Sequence, residues 1–441
     1  MSEIVIRDSK LIGRRLTSRV TVSRRLEKYF QSFNLFVNYD TDVYANQSIL
    51  NIPLLSTVLP LAWLTGADIF VEELDKRYEE AMDALKHEFM RMYPKAPFTT
   101  NIMANSLVEN KIENINPEER TAQLFSGGVD STYTLITNIH LKPRLIMIWG
   151  LENYPYPCHP KYWEMIRTTY SEFATRQGLI FNLIETNARN ILNERRIEHD
   201  FHKLIYEGTF LARLQHSLVL LSSIPPLSIG RFDRLLLAAT NAPTFPYSKH
   251  PWASQPRTDE KIAWANLQVK HDGYTHRFKK IMGPIKEYLK DNEFKLRVCF
   301  AGRSGEKLNC STCEKCFETI AALVLAGIDP NDCGFEVDDS TFELMKSMFE
   351  EKKVEAFLLE TVWRVLQTMI PNKIENDLYG SEKFFEWFRG FNLDLAQKNV
   401  GLYRKLYNKL PYPISCVLDK LYRIIGIDIY EHSPILPAKS C

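Results

Sequence analysis

Two stretches of this 441-residue chain combine residue types and spacings that could do chemistry. The first is Leu124-Phe125-Ser126-Gly127-Gly128-Val129-Asp130-Ser131-Thr132. A glycine pair lets the backbone take positive φ angles and come close to a ligand. Successive N–H groups can then converge on an anion, and a helix starting here adds its positive end. Ser126, Ser131 and Thr132 contribute hydroxyls. Asp130 is the odd member, because a carboxylate repels phosphates unless a cation intervenes; that makes it a candidate Mg2+ contact, with the oxygen ligand this ion prefers. The plain alternative is a glycine turn capped by Asp130 or Ser131. No lysine follows as a Walker A loop requires, and the glycines do not fit G-x-G-x-x-G.

The second stretch holds Cys299, Cys310, Cys313 and Cys316. The last three form two overlapping C-x-x-C steps, which let successive thiolates bind one ion from a tight turn, and Cys299 can complete a tetrahedral zinc site of four thiolates. Such a site has no open coordination position and reads as structural. A redox pair, chance or an iron–sulfur cluster are the other readings. The remaining cysteines, Cys158, Cys333, Cys416 and Cys441, are scattered. Cys158 is a candidate sulfur-carrying nucleophile or a plain thiol. No secretory signal opens the sequence, so a reducing, cytoplasmic compartment is expected.

The elements that must position these residues alternate. "TAQLF", "RLIMIWG", "LIFNLIET" and "DRLLLAAT" read as strands, and the runs between them as helices. Alternation of this kind predicts an α/β fold with a parallel sheet covered on both faces, whose ligands lie beyond the carboxyl ends of the strands. Three regions are expected: an α+β N-terminal region (1–115), this α/β domain (118–330) and a helical C-terminal region (331–441). In the first, "DIFVEELDKRYEEAMDALKHEFMRMYP" reads as one long helix from Phe70. "ILNIPLLSTVLPLAWLTG" is apolar but interrupted by Asn51, Pro53 and Pro60, so buried elements are expected there and no membrane span. In the third, Trp363, Phe384, Phe385, Trp387 and Phe388 read as packing residues. The formal net charge of +1 gives no global field for nucleic acid.

Ser126 to Ser131 matches S-G-G-x-D-S without departure. In this the chain resembles the PP-loop ATP pyrophosphatase superfamily, and the C-x10-C-x2-C-x2-C spacing that follows is similar to that of its 7-cyano-7-deazaguanine synthase (QueC-like) branch. The resemblance covers Thr121 to Gly327 and leaves out both terminal regions, as in enlarged forms from bacterial anti-phage gene clusters. It implies a five-stranded Rossmann-like core whose loop, Leu124 to Ser131, grips the β,γ-pyrophosphate of ATP. It implies an AMP-forming ligase, with Mg2+ beside ATP and Zn2+ on the four cysteines. The carboxylate adenylated would be 7-carboxy-7-deazaguanine. The product would be the amide and nitrile, or the acyl group would pass to a protein or nucleic-acid acceptor. Adenine is expected against Ile148, Trp149 and Gly150, although Trp149 also reads as core.

Thr240 and Asn241 close a strand and should face the same crevice. Lys249 and His250 sit in a Pro-bounded loop, as phosphate or substrate contacts or as solvent-exposed residues. Asp272-Gly273 reads as a turn, and Thr275 as an N-cap that sets Arg277 at a helix start, where its fork suits phosphate. Arg303 and Lys307 are weaker candidates. The catalytic set expected is thus Ser126, Asp130, Lys249 and Arg277, with Ser126→Ala or Asp130→Ala abolishing turnover and leaving the fold intact. The competing readings are a tRNA-thiolating PP-loop enzyme and a non-catalytic ATP-binding subunit of a defence complex. A homodimer is compatible with all of them.

Overall fold

The computed structural model describes residues 2–151, 156–157, 159–205, 208–299, 307–374, 377–398 and 406–424. Cys158, Arg303 and the C-terminal tail lie outside them.

In-out alternation builds the first three strands, β1 (Glu3–Ile12), β2 (Arg15–Val22) and β3 (Asn34–Tyr39). Ile4, Ile6, Leu16, Ser18, Val20, Leu35 and Val37 are buried, and the residues that alternate with them point outward. The three pair antiparallel. The apolar stretch after them is a helix, Ile52–Thr65, buried from Ile52 to Leu64. A helix apolar all round belongs inside a core. Among the described residues no helix is long and apolar enough to cross a membrane.

The long helix expected from Phe70 starts later. Asp68–Asp75 is strand β4, with Ile69, Val71 and Leu74 buried, and the helix runs Lys76–Met92. The switch is made by Asp75, whose carboxylate accepts from Tyr78 N at 2.8 Å and from Ala265 N at 3.0 Å. It caps the helix and ties it to a distant turn. Strand β5 is Ile102–Val108.

From Thr121 the expected alternation appears: β6 (Thr121–Leu124), β7 (Arg144–Trp149), β8 (Phe181–Thr186), β9 (Arg234–Ala238) and β10 (Gln268–Asp272). These strands run parallel. All ten strands share one mostly parallel sheet, ordered β10-β9-β6-β7-β8-β3-β2-β1-β4-β5. The N-terminal strands therefore continue the sheet of the α/β region, through an antiparallel join between β3 and β8. Successive strands leave β6 to one side through β7 and β8, and β9 and β10 fill the other. The order reverses at β6, and in open α/β sheets such a switch point is where ligands bind beyond the strand ends.

Both faces of the parallel block are covered. Ile146 belongs to one apolar core, and its neighbours Leu145 and Met147 to another. The second core takes in the C-terminal helices, where Trp363, Phe384, Phe385 and Phe388 are buried as packing residues and Trp387 is half-buried.

One buried acidic group sets a pH dependence. Glu198, on the helix Glu194–Phe201, accepts from Phe210 N at 2.6 Å, and burial, reinforced by Glu194 beside it, pushes its carboxyl up to about 8. An acid that keeps its proton longer in the folded chain than in the unfolded one takes up protons on folding. Its stabilisation is therefore full below about pH 4.5 and is lost as pH climbs through about 8. Urea unfolding across this window should show falling stability, and Glu198→Gln should flatten the fall.

Candidate functional site

Strand β6 ends at Leu124, and the glycine loop leads from it into the helix Val129–Asn138. Gly127 has φ +75°, and a Cβ there would stand 2.1 Å from the Tyr170 ring, so only glycine fits. The hydroxyls of Ser126 and Ser131 lie 3.1 Å apart, and Gly128 N donates to Ser126 Oγ at 3.3 Å. Gly128 is the N-cap of the helix, and no side chain caps it. First-turn N–H groups have no intrahelical acceptor, so this end can receive an anion. Phe125 forms the wall behind, edge-on to Tyr170 at 5.3 Å.

Asp130 does not cap the turn. Its carboxylate accepts from Arg277 Nη2 at 2.6 Å and from Lys280 Nζ at 2.8 Å. Lys280, fully buried, also donates to Ala239 O at 2.5 Å. Arg277 pairs with buried Glu318 too, and Glu318 holds Lys315 at 2.8 Å. Burial alone would raise the Asp130 pKa, but Arg277 and then Lys280 hold it well below the ordinary carboxylate range. Burial and the neighbouring Arg277 push the Lys315 ammonium down. Arg277, Lys280 and Lys315 thus alternate with Asp130 and Glu318 in one buried run of ion pairs behind the loop. The carboxylate expected as an Mg2+ contact is held by two cationic side chains, one on each oxygen. Thr275 is not the N-cap either; that position is His276, so the cap lies directly before Arg277.

The four cysteines converge, with all sulfurs within 4.8 Å of one another. Cys310 and Cys316 stand 3.9 Å apart, Cys313 and Cys316 3.5 Å, and Cys313 and Cys299 4.0 Å. Four thiolates about 2.3 Å from a tetrahedral ion would sit about 3.8 Å from each other. The group could therefore hold one metal ion such as zinc. Cys313 is the N-cap of the helix Glu314–Leu325, which puts Cys316 in its first turn. Asn309 pins the two arms together: its Oδ1 accepts from Val298 N and Cys299 N, and its Nδ2 donates to Leu296 O and Gly334 O.

Cluster and loop are connected. Arg297 N donates to Gly127 O at 2.8 Å, and Arg297 Nε to Ser126 O at 2.7 Å. Tyr170 OH donates to Lys295 O at 2.9 Å. The segment that reaches Cys299 thus runs along the glycine loop, and the helix carrying Cys316 also carries Lys315 and Glu318.

The other expected residues scatter more. Gly150 has φ +106°, and a Cβ there would stand 1.6 Å from Thr186 O, so only glycine fits where the end of β7 meets β8. Trp149 stacks on Trp163 at 5.5 Å, buried, with its Nε1 unbonded; Ile148 is half-buried. Thr240 is exposed just past β9, and Asn241 is half-buried beside it. Lys249 does not join the loop cluster: its ammonium is held by Glu360 at 2.8 Å, with His250 at 3.3 Å from the same carboxylate. Lys307 pairs with Glu336. Asp272 ends β10, and Gly273, at φ +72°, makes the turn. Sequence reasoning missed Tyr170, Lys280, Arg297, Asn309, Lys315, Glu318 and Glu360. Only Lys280 carried a signal, one helical turn from Arg277. No protein-family model, curated protein or solved structure matches the chain.

Metal analysis of the purified chain should find one zinc per molecule, lost in Cys316→Ser. Amide exchange at 124–132 and 294–299 should then rise by about tenfold or more, because the cluster braces the loop through Arg297.

Proposed function

We propose that the chain is an AMP-forming, ATP-dependent ligase of the PP-loop type that activates a carboxylate as its adenylate. The observation that carries this reading is the uncapped start of the helix Val129–Asn138 at the switch point of the sheet, backed by the buried cations Arg277 and Lys280 on Asp130. A glycine-lined helix start suits a phosphate group. Fixed positive charge behind it suits a pyrophosphate leaving group, whose charge grows as its bond breaks. Mg2+ would arrive on the phosphates of ATP. Ser126, Ser131 and the first-turn N–H groups would contact the phosphates. Asp130 is a positioning residue that holds Arg277 and Lys280 in place.

In the reaction a carboxylate oxygen attacks the α-phosphorus, the bond to pyrophosphate breaks, and an acyl-AMP forms. An amine then takes the acyl group and AMP leaves. By resemblance to 7-cyano-7-deazaguanine synthase the acid is 7-carboxy-7-deazaguanine. The amine is ammonia, with a second activation giving the nitrile, or an amino group of a macromolecule. The four cysteines would hold a structural zinc that keeps Arg297 and Glu318 where the loop needs them.

Incubation with Mg-ATP and the candidate acid should release AMP and pyrophosphate; ADP and phosphate alone would overturn the proposal. Ser126→Ala should lower turnover by about a hundredfold with an unchanged unfolding midpoint, because its hydroxyl touches only the loop. Asp130→Ala, expected from the sequence to leave the fold intact, should instead cost about 3–5 kcal/mol in urea unfolding, since buried Lys280 loses its carboxylate and Arg277 keeps only Glu318.

A further inference from the structure

The N-terminal half of the sheet has a second face that this chemistry does not use. The helices Ile52–Thr65 and Lys76–Met92 share one core with Ile4, Leu16 and Val37, and so cover the inner side. On the outer side Arg7, Arg19, Glu72 and Met103 are exposed among the described residues. A sheet face left to solvent is ordinarily polar. This one carries an apolar row across three strands, since Val5 pairs with Phe70 and Phe70 with Met103. Met103 is 49% exposed.

Charge flanks the row on opposite sides of β1. Arg7 stands directly opposite Arg19 across β1 and β2, a like-charge pairing that costs stability unless something neutralises it. Neither arginine has an ion pair among the described residues, and neither does Glu72. Val5 is level with Thr21 on β2 and with Phe70 on β4. Two residues further along, Arg19 pairs with Arg7 on one side of β1, and on the other side Glu72 follows Phe70 by two along β4. In the order β3-β2-β1-β4-β5, β1 is the central strand.

The geometry points to a second copy of this chain packed face to face on this surface, about a two-fold axis running along β1. That rotation lays β2 over β4 of the other copy. Arg19 then meets Glu72 of the second copy, and Glu72 meets its Arg19. The apolar rows close over one another at Val5, as aligned sheets pack. Arg7 lies over Arg7 at the axis, between the two Glu72 carboxylates. The contact is self-complementary and closes at two copies.

Light scattering on the full chain at micromolar concentration should give twice the chain mass. Arg19→Glu and Glu72→Arg should each weaken association by about tenfold or more, and the double reversal Arg19→Glu/Glu72→Arg should restore it. Circular dichroism should be unchanged in all three, since both positions are exposed. A monomeric wild-type chain, a dimer that survives both single reversals, or a double reversal that stays monomeric would each overturn the proposal.

Discussion

The carboxylate of Asp130 holds the site together. It lies in the first turn of the helix after the glycine loop and binds Arg277 and Lys280, which follow β10. Arg277 passes the contact on to Glu318, on the helix rooted in the cysteine cluster. Three segments far apart in sequence thus meet through one alternating chain of charge. Breaking such a chain strands unpaired ions in a buried place, whereas keeping it intact fixes one arrangement of the segments. The loop's geometry is in this sense a consequence of ion pairing behind it.

The same loop is held from its other side by backbone. Arg297 gives two bonds to the carbonyls of Ser126 and Gly127, and the Tyr170 ring fills the space a side chain at Gly127 would need. The glycine is therefore required twice, once for its φ and once for the approach of the ring. Asn309 and the cysteines fix the segment carrying Arg297. A metal ion there would act on the loop through two routes, Arg297 on one side and Glu318 with Arg277 on the other, without touching a ligand itself.

Local features were legible in the sequence. The strand–loop–helix around Ser126 to Ser131 and the convergence of Cys299, Cys310, Cys313 and Cys316 follow from spacing, because each depends on neighbours within a few residues or on strong ligand chemistry. What was not legible is decided by distant residues. Phe70 and Leu74 fit a helical period, but Asp75 caps the helix after them and pairing with β1 and β5 turns their segment into a strand. Lys249 reads as a phosphate contact because Glu360 lies far along the chain and no local pattern announces it. Asp130 invites a metal because its two cationic partners come from a segment whose approach only the fold provides.

The ion pairs behind the loop and the hydrogen bonding in front of it are linked through one turn of helix. The first-turn N–H groups of the helix Val129–Asn138 have no side-chain cap. Asp130, the acidic residue of that turn, is drawn away to Arg277 and Lys280. The helix start is thus left with donors in want of acceptors at the end of β6. An oxygen-rich anion would satisfy them, and a phosphate group has that chemistry.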